Sequence, residues 1–506
     1  MRKLFVCIAL LTVAFTHAQK SPNPTPYAKT ITADDLKKHL YIVAGKEMGG
    51  RETATEGERK AAAYIEAQFR AIGLQPGNDD SYQMPFPVYQ DELSSSELEV
   101  NGTSFRSDQQ FTIALSSAYN ITLYGSEVAF AGYGISDSTR DDYKGINAKG
   151  RIVLLFSATP PPSGGTQRRP ASQQGLIDAA QRNGAAAILI VQGGFPRRPV
   201  TRGNLYMNVF RRANTPNVFY IADTVARAIM GADFAVAQEA MKNGNPQPKI
   251  YNADIKLAIN KSTVKSGSSN VVGILEGTDL KDEYVVLTAH YDHMGNRGDS
   301  IIFYGADDDG SGTVSIIELA EAFAKAKKEG KGPRRSIVFM TVSGEEKGLW
   351  GSAYYGDHPL FPLDKTTVNL NIDMIGRIDP KRKIGDSTNY VYVVGDDKLS
   401  TDLRPISEAN NKKYTKLELD YKYNDPKDQE RIYYRSDHYN FARRGVPIIF
   451  YFNGTHNDYH RPTDTPDKIN YPLLAKRAQL VFYTAWDMAN RNEMLKRDLK
   501  LDVGTR

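Results

Sequence analysis

Apolar residues recur at helical spacing in two stretches near the start of the chain. These are Ala33 to Val43 and Glu56 to Ile72, the second with Ala61, Tyr64, Ile65, Phe69 and Ile72 on one face and Gly73 as its stop. From Asp91 to Tyr124 the pattern shortens to loop-bounded runs of the strand type, with Asn101-Gly102 composed as a hairpin turn. Between Glu127 and Ile250, strand-like runs at Val128 to Phe130, Arg151 to Phe156 and Ala186 to Val191 are interrupted by a Pro- and Gly-rich loop from Thr159 to Pro170 and a helical stretch near Ile177 to Asn183. From Asn270 onward the runs become almost continuously apolar: Tyr284 to Ala289, Ile337 to Val342, Val368 to Ile372, Val391 to Val394 and Val446 to Phe452. Such runs suit strands buried on both faces. Thr313 to Lys327, with Ile316, Leu319, Ala320 and Phe323 at helical spacing behind Gly312, separates the first two. The strand, loop, helix, strand unit this makes predicts an α/β domain.

Length adds a domain count. At 506 residues the chain exceeds one ordinary core, and roughly 100 to 200 residues per domain implies two or three units. The pattern changes divide it at 1–18, 19–126, 127–250 and 251–506. Residues 1–18 have the form of a secretory signal, with Arg2 and Lys3, an apolar run from Leu4 to Phe15, and small or polar residues to Ala18. Export, to the periplasm or the medium, is the expectation. That run is shorter than the about 20 residues a bilayer span takes, and no later stretch qualifies, so no membrane span is expected. Cys7 is the only cysteine and lies within the signal, so the mature chain is expected to hold no disulfide and to rely on its core. Net charge is +5, or +3 without Arg2 and Lys3, too small an excess to point to nucleic acid. The pairs Arg168-Arg169, Arg197-Arg198 and Arg211-Arg212 read as solvated loops rather than an anion site. Oligomeric state is not legible.

The candidate chemistry lies in the second half. His290 follows the first apolar run, Glu345 and Glu346 follow the second through Ser343-Gly344, Asp373 ends the third, and Asp308 sits in the loop before the helix. Open α/β sheets gather ligands outside the carboxyl ends of their strands, so these donors are expected at one edge. With no cysteine available, a zinc site here must use His, Asp and Glu. Two metals about 3.5 to 4 Å apart, bridged by a carboxylate, can bind a carbonyl oxygen and an attacking water together. Asp308 is the natural bridge, with His290 and Asp373 on one metal and Glu346 and His460 on the other. Glu345 would take the proton of the bridging water and pass it to the leaving amine. Asp292 would orient His290, and Tyr459 could donate to the oxyanion. His293, His358 and His456 read as surface or structural, and His438 as packing or pocket lining.

These segments resemble peptidase family M28, in the branch with an inserted protease-associated (PA) domain. The carriers are Thr288-Ala289-His290-Tyr291-Asp292, Gly305 to Gly312 around Asp307-Asp308-Asp309, Ser343 to Gly348, Asn371 to Met374, Arg435 to His438 and Tyr459-His460, with Gly132 to Ile135 and Lys149 to Val153 in the inserted part. The resemblance implies the metal assignments above and a cis peptide between Asp308 and Asp309. It also implies a zinc-exopeptidase fold, a mixed, mostly parallel sheet flanked by helices, with a mainly β PA domain at 127–250. The implied activity is that of an aminopeptidase with two zinc ions, acting on peptides with a free N-terminus. Carboxypeptidases and glutamate-releasing enzymes share these motifs and hold a substrate carboxylate with cations, for which Arg377 and Arg435 are candidates. A single-zinc glutaminyl cyclase and a non-catalytic receptor-like protein are the remaining alternatives.

Overall fold

The computed structural model describes residues 22–157, 172–207, 215–298 and 300–501. The signal segment, the whole Pro- and Gly-rich loop with Arg168-Arg169, and Arg211-Arg212 lie outside the described residues. The chain forms two compact units, one drawn from the segments up to Phe86 and from Ser268 onward, the other Pro87–Gly267.

After a single helical turn at Thr25–Ala28, the first unit continues with helices α1 (Ala33–Val43) and α2 (Glu56–Ile72). Thr32 and Thr55 cap them, each side chain accepting a backbone N–H three residues on, and Gly73 ends α2 in a left-handed conformation at φ 88°. The sheet is built from the end of β1 (Lys249–Leu275), β2 (Leu280–His290), β3 (Arg335–Val342), β4 (Thr366–Ile372), β5 (Tyr390–Val394), the short β6 (Glu418–Asp420) and β7 (Ile448–Phe452). Their order is β6-β5-β7-β4-β2-β3-β1. The central strands β7, β4, β2 and β3 are parallel; β1 is antiparallel to β3 and β5 to β7, while β6 runs parallel to β5.

Both faces are covered, which is why these strands read as apolar without alternation. On one face α1, α2, α3 (Gly312–Lys328) and α4 (Tyr471–Asn490) bury Leu40, Phe69, Leu319, Phe323, Phe482 and Trp486 against Val285, Leu287 and Leu370. The other face packs Val286, Val338 and Phe450 against Tyr355 and Phe441. From β2 the chain passes through α3 to β3 on one side of β2, then crosses to β4 on its other side. The connections therefore diverge at the carboxyl end of β2 and open a crevice there. This is a mixed α/β fold with a mostly parallel sheet, as the apolar runs predict.

In the second unit the strands Ile121–Phe130, Ile152–Phe156, Ala187–Val191 and Asn217–Ile221 pair in parallel in that order, with Phe111–Ile113 antiparallel at one edge. Helices Gln173–Arg182, Asp223–Met230 and Asp233–Lys242 accompany them. Phe130, Leu154, Leu189, Phe219 and Phe234 form the core. The unit reaches beyond 127–250 on both sides, because Phe111–Ile113 pairs with Phe219–Ile221 and the early part of Ile121–Phe130 pairs antiparallel with Lys256–Ile259. Asn101-Gly102 makes the expected hairpin turn, both residues with positive φ, between Val100 and Thr103.

Candidate metal centre

Four strand ends deliver the predicted residues to the crevice. His290 is the last residue of β2, Glu345 and Glu346 stand in the turn after β3, Asp373 follows β4, and His460 lies in the loop after β7. Asp308 comes from the Ala306–Ser311 turn that leads into α3, and its peptide bond to Asp309 is cis, as the resemblance implied. The three consecutive aspartates divide the work of shaping this turn. The Asp309 carboxylate accepts the backbone N–H groups of His290, Gly312 and Met374, tying β2, α3 and the end of β4 together. Asp307 accepts from Gly376 N, and Asp464 accepts from the N–H groups of both Asp307 and Asp308. Asp308 is left with both oxygens facing the crevice.

Its two oxygens point to two different donor sets. Oδ1 lies 3.2 Å from His290 Nε2, which is itself 3.7 Å from Asp373 Oδ1. Oδ2 lies 3.1 Å from His460 Nε2, which is 3.2 Å from Glu346 Oε2. All five predicted donors are brought together. His293, expected at the surface or in a structural role, is fully buried beside the second set, its Nδ1 2.8 Å from Glu346 Oε1 and 3.8 Å from Asp308 Oδ2. Glu345 Oε2 stands 3.9 Å from His290 Nε2, outside both sets.

The electrostatics mark the place as one built around positive charge. Burial alone would lower the His460 imidazole, yet the carboxylates of Asp308 and Glu346 lift it to about 10. Burial raises Glu346, but against its acidic neighbour Asp308 the imidazoles of His293 and His460 bring it down to about 2. Glu345 goes the other way: burial first, with Asp373 and Glu346 adding to it against His290, pushes it well above the carboxylate range. Buried and without a hydrogen-bond partner are His290 Nε2, Asp308 Oδ2, Glu346 Oε1 and both ring nitrogens of His293. Unpaired buried donors and acceptors of this kind are costly unless something satisfies them. Cations at the two donor sets would satisfy those of the atoms that face them, and the donor types are those zinc takes.

The supporting residues differ in part from expectation. His290 Nδ1 faces the backbone carbonyl of Asp292 at 3.1 Å, with a carboxylate oxygen of that residue farther away at 3.7 Å. The Asp292 carboxylate instead accepts the Glu345 N–H at 3.1 Å and the Thr53 hydroxyl at 2.7 Å, so its side chain orients Glu345. Tyr459 stacks on His460 with ring centroids 3.8 Å apart and accepts from the exposed Arg435. Arg377 is engaged by Asp458 at 2.9 Å and by Asp464. His438 is buried, donates from Nε2 to Tyr433 O, and stacks on Phe450. His358 is exposed, and His456 is buried against Asp307. Met374, Ile432, Phe450 and Phe452 line the apolar wall of a cavity that also borders Asp308, Glu345 and Asp373. Sequence reading missed Arg51, whose buried guanidinium donates to the carbonyls of Val43, Tyr291, Tyr304 and Gly305 and so holds the ends of the His290 and Asp308 loops. It also missed Asp464. Neither stands in a motif, and nothing in the sequence signals them.

Comparison with known proteins agrees with this geometry. The chain is 28% identical over 296 residues to a "Probable leucine aminopeptidase" of Arthroderma otae, covering 57% of this chain and 74% of that one. It is 25% identical over 280 residues to aminopeptidase YwaD of Bacillus subtilis, covering 51% of this chain and 53% of that one. In fold it is similar to an aminopeptidase from Aneurinibacillus sp. strain AM-1, at a TM-score of 0.56 and 18% identity over 95% of this chain and 99% of that one. It is likewise similar to BSAP, a zinc aminopeptidase from Bacillus subtilis, at a TM-score of 0.52 and 21% identity over 93% of this chain and 99% of that one. The profile of peptidase family M28 matches residues 270–485. Every donor of the crevice falls within that span, and this part of the chain belongs to peptidase family M28.

Proposed function

We propose that the protein is an exported two-zinc aminopeptidase. One observation carries the reading: the two oxygens of Asp308 face separate donor sets, His290 with Asp373 and His460 with Glu346, as a bridging carboxylate must. When bound, zinc supplies a water acidified toward neutral pH and a polarised carbonyl oxygen. The chain's own residues do the rest. Glu345, raised by burial and free of both sets, receives the proton of the attacking water at its carboxylate and returns it to the leaving amine. Asp292 holds Glu345 through its backbone N–H, and the Tyr459 hydroxyl offers a donor to the developing oxyanion.

The choice of a free amine over a free carboxylate rests on charge. Asp308, Asp373 and Asp437, buried, and Glu345 and Glu346, half-buried, crowd the crevice with carboxyl groups that suit an ammonium. Arg377 is already paired with acidic partners, which leaves Arg435 as the cation at the cavity. Export rests on Arg2, Lys3 and the apolar run Leu4 to Phe15. The inserted segment supplies no donor, and its sequence supports a PA-type accessory domain. No helix among the described residues is long and apolar enough to cross a membrane.

The test is a panel of peptides with free or blocked N- and C-termini, assayed with and without chelator beside metal analysis of the purified protein. Cleavage restricted to free N-termini, abolished by chelator, with close to two zinc ions per chain, is the expected result. Cleavage that requires a free C-terminus, or full activity with one ion, would sink the reading.

A further inference from the structure

The histidine that the two donor sets leave over is His293. It is fully buried, neither ring nitrogen has a hydrogen-bond partner, and Nδ1 faces the carboxylates of Glu346 and Asp308. Its position is built rather than incidental. The backbone N–H of His293 donates to Arg51 O, and a bridge to Glu52 holds the segment against the Lys46–Arg51 turn. Gly305, at φ 55°, makes the space for the ring: a Cβ there would stand 2.5 Å from His293 Cγ and Cδ2. Its ring also meets that of His460 edge-on, with centroids 5.9 Å apart.

Donors placed about 2.0 to 2.2 Å from a zinc ion at tetrahedral corners stand roughly 3.3 to 3.6 Å from one another. Four distances within the second set bracket that spacing: 2.8 Å and 3.8 Å from His293 Nδ1 to Glu346 Oε1 and Asp308 Oδ2, and 3.2 Å and 3.1 Å from His460 Nε2 to Glu346 Oε2 and Asp308 Oδ2, and His293, Asp308 and Glu346 each offer an atom to one common point. We propose that His293 is a fourth protein ligand of the second zinc, beside Asp308, Glu346 and His460. This rests on the two-zinc reading above. Four protein donors close a tetrahedral site, whereas His290, Asp308 and Asp373 leave the first ion an open position. The two ions are then unequal, the second retained more firmly and the first the one that exchanges.

X-ray absorption at the zinc edge of the two-zinc enzyme tests this on the native protein. Three imidazoles shared by two ions are expected, falling to two in His293→Ala. Graded chelation should remove one ion well before the other, and His293→Ala should weaken the retained ion by at least tenfold while the first remains. Two imidazoles in the native enzyme, with a spectrum that His293→Ala leaves unchanged, would overturn the proposal and make His293 only an ion-pair neighbour of Glu346. Because the native spectrum is read without any variant, a misfolded His293→Ala protein does not blunt the test. A native protein that binds fewer than two zinc ions would instead overturn the two-zinc reading itself.

Discussion

Replacing Glu345 with Gln isolates the proton-transfer step. The amide matches the carboxylate in shape and keeps the backbone N–H that donates to Asp292 Oδ1 at 3.1 Å. Glu345 approaches His290 no closer than 3.9 Å, while Glu346 next to it reaches His460 at 3.2 Å. The variant should therefore keep its zinc. What it loses is the proposed base, a carboxyl group 12% exposed and raised by burial above the ordinary carboxylate range. A positioned general base contributes about 10²- to 10⁴-fold, or roughly 2.7 to 5.4 kcal/mol of barrier. The loss should appear in kcat with KM little changed, since the group acts on the transferring proton. The sign of the pH dependence follows from the raised group: the base works only when ionised, so native activity falls on the acid side at a pH above the usual carboxylate titration. Steady-state kinetics on a chromogenic aminoacyl anilide from pH 5 to 9, with zinc measured in the same samples, reads both. A kcat within threefold of the native value would refute the assignment. Loss of zinc would show Glu345 to be a ligand instead.

Two further outcomes follow from the geometry. Asp292→Ala removes the acceptor of the Glu345 N–H and the Thr53 hydroxyl but not the backbone carbonyl that faces His290. Turnover should fall about 10- to 100-fold, as for other residues that orient a metal site, with zinc content unchanged; zinc loss at constant turnover per ion would assign Asp292 to His290. His438 is held neutral by burial, its titration brought down to about 3 from the ordinary 6.5. Below pH 6.5 the unfolded chain binds a proton there that the native state refuses, so stability falls with falling pH by about 1.4 kcal/mol per unit between those values. His438→Phe should flatten the loss between pH 6.5 and 5, read by urea unfolding at both; equal losses in native and variant protein would count against it.

The helices and strands were legible because each carries a periodic or continuous apolar pattern that local burial enforces. Ala33–Val43 and Glu56–Ile72 appear at the residues predicted, and all five apolar runs become strands of one sheet. Asn101-Gly102 was legible for a different reason, since its left-handed backbone favours that dipeptide. The donors His290, Asp308, Glu345, Glu346, Asp373 and His460 stood out by type and by their place after apolar runs, and folding brings them together.

What the sequence could not rank was the partnership among them. Arg51 lies about 240 residues from Tyr291, whose carbonyl it binds, and Asp464 is 156 residues from the Asp308 N–H it accepts. Such pairings leave no local periodicity to read. His293 carried no motif and looked ordinary, and Asp292 looked like the partner of His290, its near neighbour in sequence. The order of strands across β2 decided both. By turning the loops after β2, α3's leading turn and β3 into one crevice, it set His293 against Glu346 and the Asp292 carboxylate against the backbone of Glu345. The sequence by itself marked five of the candidate donors and determined which segments would carry them. Only the tertiary structure decided which donor faces which, because those distances depend on side chains from separate strand ends meeting in three dimensions.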